Sequence, residues 1–159
     1  MSVTQDIIQS WRRPRVVIRR HLHHAPTEAF AFSLLVAFLV LAFVALWPGI
    51  SRDAYLSPDR PLIQQMVAAG LALLATIPVW YALAAISHLI ARALGGRGSY
   101  LGARMALFMA LLAVAPLMLL QGLTAGFMGQ GQQTLLLGVL IGTGFLYLWL
   151  SMLHEVERA

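Results

Sequence analysis

Fifty consecutive residues between Arg104 and Glu155 contain no Asp, Glu, Lys or Arg. A membrane core of about 30 Å requires roughly 20 apolar residues of helix. The stretch is therefore long enough for two membrane spans, and a polar run of Gly, Gln and Thr (129–134) supplies the turn between them. Two further charge-free windows, 29–51 and 61–91, are each long enough for one span. The sequence thus predicts an all-α, polytopic helical membrane protein with four transmembrane helices.

The composition agrees with this fold class. Hydrophobic residues make up 60% of the 159 residues and charged residues 11%, whereas soluble domains carry about 25% charged residues. Four spans leave no room for a separate soluble domain, and the absence of cysteine excludes disulfides and thiolate metal sites. We divide the chain into a cytoplasmic, basic, amphipathic segment (1–28), a four-span bundle (29–154) and a cytoplasmic tail (155–159). The predicted spans are about 30–47, 66–87, 105–124 and 135–153.

Proline and glycine residues set the predicted helix limits. Trp47-Pro48-Gly49 is expected to end the first span, because an interfacial Trp is followed there by two helix-breaking residues. Pro78 is expected to kink the second span and Pro116 the third.

The orientation follows from the arginines. Nine of the eleven lie before the first span, between the second and third spans, or after the fourth. Because an excess of Lys and Arg marks the cytoplasmic side, both termini and the second loop are expected in the cytoplasm. The chain has no lysine and is rich in Ala and Leu, a composition typical of bacteria, so we place it in a bacterial inner membrane.

The N-terminal segment is amphipathic. Apolar residues follow one another at helical spacing opposite Thr4, Asp6 and Ser10, and these apolar residues are Val3, Ile7, Ile8 and Trp11. An apolar stripe with a Trp beside several arginines is typical of a helix that lies in the headgroup plane. The alternative is a flexible basic tail that only sets the topology.

Eight arginines are predicted to meet at one membrane surface, where they can bind anionic lipid headgroups or an acidic partner. They are Arg12, Arg13, Arg15, Arg19, Arg20, Arg92, Arg97 and Arg104. Their position beside the spans favours lipid over nucleic acid. Glycines at 95, 96 and 98 predict a tight turn that holds Arg97 in place.

Two GxxxG patterns predict close helix packing. Gly122 and Gly126 end the third span, and Gly138 and Gly142 open the fourth. Both patterns lie towards the outer leaflet at similar depths, so a tight pairing of spans three and four is expected.

No group of residues predicts catalysis, a cofactor or a metal. None of the six acids lies inside a predicted span, which argues against metal-dependent phosphoryl or glycosyl transfer and against proton-coupled export. Ser87 and His88 are adjacent and point in different directions on a helix, so they do not form a nucleophile and base pair. We interpret His88 as an interfacial anchor.

One stretch of the chain resembles a known family. The run His88-Leu-Ile-Ala-Arg92-Ala-Leu-Gly95-Gly96-Arg97-Gly98-Ser99-Tyr100 ends a span, turns on glycines and re-enters the membrane before a span that contains Ala115-Pro116. Together with Arg12-Arg13-Pro14-Arg15, it resembles bacterial members of the Yip1 family. The resemblance implies a small polytopic membrane protein, often described with five spans where four are counted here. Eukaryotic relatives are associated with vesicle traffic and Rab-type GTPases, which bacteria lack, so that role is not transferred.

Three functions were weighed. The leading one is a non-enzymatic scaffold or accessory protein that binds membrane lipids or a partner complex. The second is a small permease or channel that works as a homo-oligomer, although Thr76, Gln121, Thr124 and Thr143 are too sparse to line a pore. The third, an enzyme acting on lipids, is disfavoured by the missing acids.

Overall fold

The described chain is helical and contains seven helices. The computed structural model describes residues 3–23, 27–57 and 59–158, and it has no strand within these ranges. The helices are α1 (Val3–Arg12), α2 (Pro14–His23), α3 (Glu28–Leu56), α4 (Leu62–Ala75), α5 (Ile77–Ala93), α6 (Tyr100–Met128) and α7 (Gln132–Arg158). Helices α3, α6, α7 and the pair α4–α5 are each long and apolar enough to cross a membrane. The predicted all-α fold class with four spans is confirmed.

Helix α6 lies at the centre of the bundle. From Gly102 to Ala115 every residue except Arg104 is buried, because α3, α5, α7 and the N-terminal helices all pack around this half of α6. Helices α3 and α6 run side by side in the same direction. By contrast, α4 has no buried residue and packs mainly against α3.

Side-chain caps determine where the central helices begin. The Thr27 hydroxyl accepts a hydrogen bond from Phe30 N at 3.2 Å, and the Ser99 hydroxyl accepts one from Gly102 N at 3.1 Å. Each cap satisfies one of the backbone donors that a helix start leaves free. At the other end of α6, Gly129 takes a φ of 81°, which favours glycine and ends the helix.

Polar contacts gather three parts of the chain at one end of the bundle, which we call the arginine end. Arg19 of α2 donates from Nε to Glu155 Oε1 at 2.9 Å. In the loop 94–99, Gly98 N donates to Glu157 Oε2 at 3.0 Å. The N-terminal helices, the second loop and the end of α7 therefore lie on the same side, as the arginine pattern predicted.

The opposite end, which we call the far end, holds the described residues of the first loop (57 and 59–61) and the third loop (129–131). Here Arg52 Nη1 donates to the carbonyl oxygens of Gly126 and Phe127, both at 3.2 Å. Carbonyls in the last turn of a helix lack backbone donors, so an arginine is a favourable partner for them. The contact joins the ends of α3 and α6.

The predicted end of the first helix at Trp47-Pro48-Gly49 is wrong, because α3 continues to Leu56. A proline inside a helix removes one backbone hydrogen bond. This loss is compensated by packing, since Pro48 lies directly against Gly126 of α6. The extra turns also carry Arg52 to the end of α6.

The second span is interrupted at Thr76, two residues before Pro78, so the predicted disturbance at this proline is confirmed as a break between α4 and α5. The Thr76 hydroxyl donates to Leu73 O at 2.6 Å and accepts from Trp80 Nε1 at 3.0 Å. These bonds replace part of the backbone bonding that a break removes. Helix α6, where a kink was predicted, remains one helix through Pro116.

The predicted partner of the first GxxxG pattern is wrong. Gly122 and Gly126 pack against α3 and not against α7: a Cβ on Gly122 would lie 1.8 Å from Ala45 O, and one on Gly126 would lie 2.5 Å from Pro48 Cβ. The two glycines let the backbones of α3 and α6 touch, as small residues do between membrane helices.

The second GxxxG pattern forms no close backbone contact. A Cβ on Gly138 would meet only the side-chain nitrogen of Gln121 at 3.0 Å, and one on Gly142 would meet nothing within 4 Å. Spans three and four do contact each other, but Gln121 lies between them at this depth and donates to Thr134 O at 2.9 Å. Gly138 thus lies at the level of Gln121 along the bundle, but the face on which each pattern lies depends on helix pairing and could not be predicted.

Candidate functional site at the arginine end

The N-terminal segment forms a hairpin of two helices, α1 and α2, that packs on α6 and α7. Trp11 lies at the tip of this hairpin. Its Nε1 donates to Ala113 O at 3.0 Å, and a Cβ on Gly144 would come within 2.6 Å of its ring. In α2, Val17 and Ile18 are completely buried.

These contacts correct the predicted orientation of α1 in the headgroup plane. Leu22, near the end of α2, approaches Gly102 at the start of α6, whereas Trp11 contacts Ala113. At about 1.5 Å of rise per residue, the two points on α6 are about 16 Å apart. The hairpin therefore runs along the bundle, because the indole of Trp11 fits the gap that Gly144 leaves in α7.

Two polar residues of α1, Asp6 and Ser10, are buried against the protein, whereas its apolar Ile8 is exposed. Asp6 is buried and lies 3.2 Å from His21 Nε2 and 3.5 Å from Arg20 Nη1. Ser10, which is fully buried, donates to Asp6 O at 2.7 Å. Burying a carboxylate is costly unless it is paired, so Asp6 fixes α1 against the basic end of α2.

Three of the eight predicted site arginines are engaged by acids. Arg19 pairs with Glu155 and Arg20 with Asp6. Arg104 lies 2.7 Å from a carboxylate oxygen of Glu28, and its guanidinium also lies 5.2 Å from the centre of the Tyr81 ring. Arg19 thus joins the hairpin to α7, Arg20 joins the two helices of the hairpin, and Arg104 joins α6 to α3.

The other five predicted site arginines are exposed, and none has an ion pair with an acid in the described part of the chain. They form two groups, of which the first lies at the hairpin tip and only the second lies at the arginine end. The hairpin tip carries Arg12, Arg13 and Arg15, and the second loop region carries Arg92 and Arg97.

Glu157, which no sequence pattern singled out, contacts both α5 and the second loop at this end. It is buried, and its Oε1 lies 2.7 Å from Nδ1 of His88, which is also buried. Its Oε2 accepts from Gly98 N, and its backbone oxygen accepts from Arg97 N at 2.9 Å. The ring of Tyr100 meets His88 edge-on with 4.4 Å between centroids. His88 is thus a buried partner of Glu157, and its interpretation as an interfacial anchor was wrong.

Glycines in the second loop make room for this carboxylate. A Cβ on Gly96 would lie 2.5 Å from Glu157 Oε2, and one on Gly98 would lie 2.9 Å from it. Gly95 has a φ of 94° and supplies the predicted turn. Residues 155–158, predicted as part of a tail, are the last turn of α7. This turn brings Glu157 to the second loop, which contains no acidic residue of its own.

The far end contains a cleft of about 380 Å³ between α3, α4, α6 and the third loop. Small residues form much of its wall, and its polar side chains are Asp53, Gln121, Gln130 and Thr134. It ends against the buried half of α6, so it does not continue to the arginine end. Within the described residues, no group of three or more His, Cys, Asp or Glu is placed to hold a metal ion.

Comparison with known proteins gives the family. A profile of the Yip1 domain matches residues 8–159, nearly the whole chain. The chain belongs to the Yip1 family. No curated protein and no solved structure matched it. In this Yip1 domain, the matched region includes all eight candidate arginines and the contact between Glu157 and the second loop.

Proposed function

We propose that this Yip1-family protein is a non-enzymatic scaffold or accessory protein of a bacterial inner membrane that binds anionic phospholipid headgroups at its arginine end. The observation that carries the proposal is the set of five exposed arginines without acid partners among the described residues. Because an excess of arginine marks the cytoplasmic side, we infer that the second loop and the end of α7 face the cytoplasm.

The use of the acids supports a non-enzymatic role. Four of the six acids contact a basic side chain of the protein itself: Asp6, Glu28, Glu155 and Glu157. The other two, Asp53 and Asp59, belong to the far end. Transfer reactions that need a divalent metal require free, clustered carboxylates, and such a cluster is absent from the described residues.

Lipid binding by the second loop can be tested with the double variant Arg92→Gln/Arg97→Gln. Arg104 is left unchanged because it holds Glu28. The parent and the variant are purified in mild detergent, titrated with phosphatidylglycerol, and analysed by native mass spectrometry. Each arginine near an anionic surface contributes about 1 kcal/mol, so we expect affinity to fall about five-fold per residue, and the salt dependence to weaken.

The control is Arg60→Gln, which makes the same kind of substitution at the far end, removes one positive charge there, and should leave binding unchanged. Equal affinity of the double variant and the parent at low ionic strength would mean that Arg92 and Arg97 serve topology alone. A scaffold could also bind a partner protein in place of lipid. In that case an acidic protein should co-purify with the parent in a fixed ratio and should be lost from the double variant. That result would identify the partner protein, and not lipid, as the ligand of Arg92 and Arg97.

The far-end cleft favours a second candidate, a small permease that works as a homo-oligomer. Its polar lining by Gln121, Gln130 and Thr134 would suit a small polar solute. Passage would require helix movement, because α6 is buried from Met105 to Ala115. Solute uptake by vesicles containing a pure homo-oligomer, abolished by Gln121→Leu, would support this candidate over the scaffold.

A further inference from the structure

The depth of the hairpin tip points to a lipid site that is separate from the second loop. The ion pair between Arg104 and Glu28 marks the arginine end, and the contact between Arg52 and Gly126 marks the far end. Trp11 contacts Ala113 of α6. At about 1.5 Å of rise per residue, this point lies about 14 Å along α6 from Arg104 and about 20 Å from Gly126. The tip thus reaches far into the leaflet on its side.

Other faces of the bundle are apolar at this depth. Helices α3 and α6 run in parallel, with Glu28 beside Arg104 and Ala45 beside Gly122. Phe32, four residues after Glu28, therefore lies about 6 Å from the arginine-end level, nearer to that end than the Trp11 contact. Phe32 is 44% exposed. Phe32 belongs to the charge-free stretch 29–51 of a helix long and apolar enough to span a membrane, so we take the hydrocarbon layer to extend to this level around α3.

The hairpin tip, which lies further from the arginine end than Phe32, has the opposite chemistry. Arg12, Arg13 and Arg15 are exposed and have no acid partner in the described part of the chain. A groove of about 430 Å³ on α1 is lined by Arg12 and Arg13 together with two glutamines and Ile8. A guanidinium that faces hydrocarbon is strongly unfavourable, and snorkelling of the side chain covers only part of the distance to the headgroups.

The tip cannot withdraw towards the headgroups without losing its packing. The indole of Trp11 is bonded to Ala113 O and fits against Gly144, and Pro14, Val17 and Ile18 are buried behind it. Since the arginines are fixed at this depth, their counter-ion has to come to them.

We propose that the hairpin tip binds the phosphate group of an anionic phospholipid, which is drawn below the headgroup level of its leaflet beside α1. Arginine forms bidentate hydrogen bonds with phosphate, and the amide groups of Gln5 and Gln9 line the same groove. The lipid tail lies along the exposed Ile8. This inference deepens the proposed function and rests on it, but it names a different site from Arg92 and Arg97.

The test measures the depth of lipid phosphorus beside the tip. The chain has no cysteine, so a single nitroxide label can be placed at Ile8→Cys or, as a control that lies no deeper, at Phe32→Cys. In vesicles of phosphatidylglycerol and phosphatidylcholine, we expect the ³¹P relaxation of phosphatidylglycerol to be enhanced several-fold more by the label at position 8. Equal or greater enhancement by the label at position 32 would overturn the proposal, because a flat leaflet predicts it.

A second measurement separates this site from the second loop. Replacing Arg12, Arg13 and Arg15 with Gln should lower phosphatidylglycerol affinity at least about ten-fold and remove the excess relaxation at position 8. Replacement with Lys keeps the charge and the topology and should retain most of the binding. If the Gln variant binds like the parent while Arg92→Gln/Arg97→Gln does not, the tip site is refuted and the proposed function stands. If neither set of substitutions affects binding, both fail.

Discussion

The closest backbone contact between the central helices gives the sharpest prediction. A Cβ added at Gly122 would lie 1.8 Å from Ala45 O, with Ala45 C at 2.8 Å. Both partners are backbone atoms, so no side-chain rotation can relieve the clash. To restore an ordinary van der Waals contact, α3 and α6 have to separate by more than about 1 Å. Overpacking of this kind costs about 1–3 kcal/mol of stability.

We therefore expect Gly122→Ala to lower the free energy of unfolding by about 2–3 kcal/mol, near the upper part of that range because the obstacle is backbone. The measurement is an SDS titration of the purified protein in mixed micelles, followed by far-UV circular dichroism. Gly142→Ala is the matched control. A Cβ at Gly142 meets nothing within 4 Å, and alanine favours the helix, so stability should be unchanged or slightly raised.

The reasoning would be refuted if Gly122→Ala were as stable as the parent. It would also be refuted if the two substitutions cost the same, because a tight pairing of α6 with α7, as the sequence suggested, requires Gly142 to matter as much as Gly122.

Two other predictions concern the arginine end and the topology. Glu157→Gln should loosen the second loop, because the buried carboxylate that contacts His88 and Gly98 N loses its charge. Trypsin should then cleave the chain after Arg97 several-fold faster. The control variant Glu155→Gln should leave the rate of this cleavage unchanged. Single cysteines should be labelled from the cytoplasmic side at position 99 and from the opposite side at position 132; labelling of both from one side would contradict the four-span topology.

The four spans could be predicted because hydrocarbon tolerates neither charges nor unpaired backbone groups, so long apolar windows identify spans directly. The separation of the chain into two ends followed from the arginines for a similar reason. Both properties depend on local composition and need no knowledge of which helix faces which.

Features that depend on pairing could not be predicted in the same way. Pro48 and Gly49 are helix breakers, so the sequence predicts an end of α3 earlier than the one in the structure. The helix continues because Pro48 packs against Gly126, a contact that the sequence does not show. GxxxG patterns indicate that a helix has a flat face and carry no information about the direction of that face. Here Gly122 faces α3, whereas Gly142 faces open space.

The site of eight arginines stays a prediction. The structure shows three of them, Arg19, Arg20 and Arg104, bound by acids that lie 136, 14 and 76 residues away along the chain. Glu157 was missed because it is adjacent to the basic C-terminal residues and looks like a solvated terminal acid. Its role exists only where α7 meets residues 94–99.

The pair of α3 and α6 is fastened at both ends. Glu28 holds Arg104 at the arginine end, Arg52 holds the last carbonyls of α6 at the far end, and Gly122 brings the two backbones into contact between them. Three contacts along the length of α3 and α6 keep these two helices in one fixed arrangement. Conformational change therefore has to move the other helices relative to this pair. The helix with the least to hold it is α4, which has no buried residue and is joined to α5 through the break at Thr76.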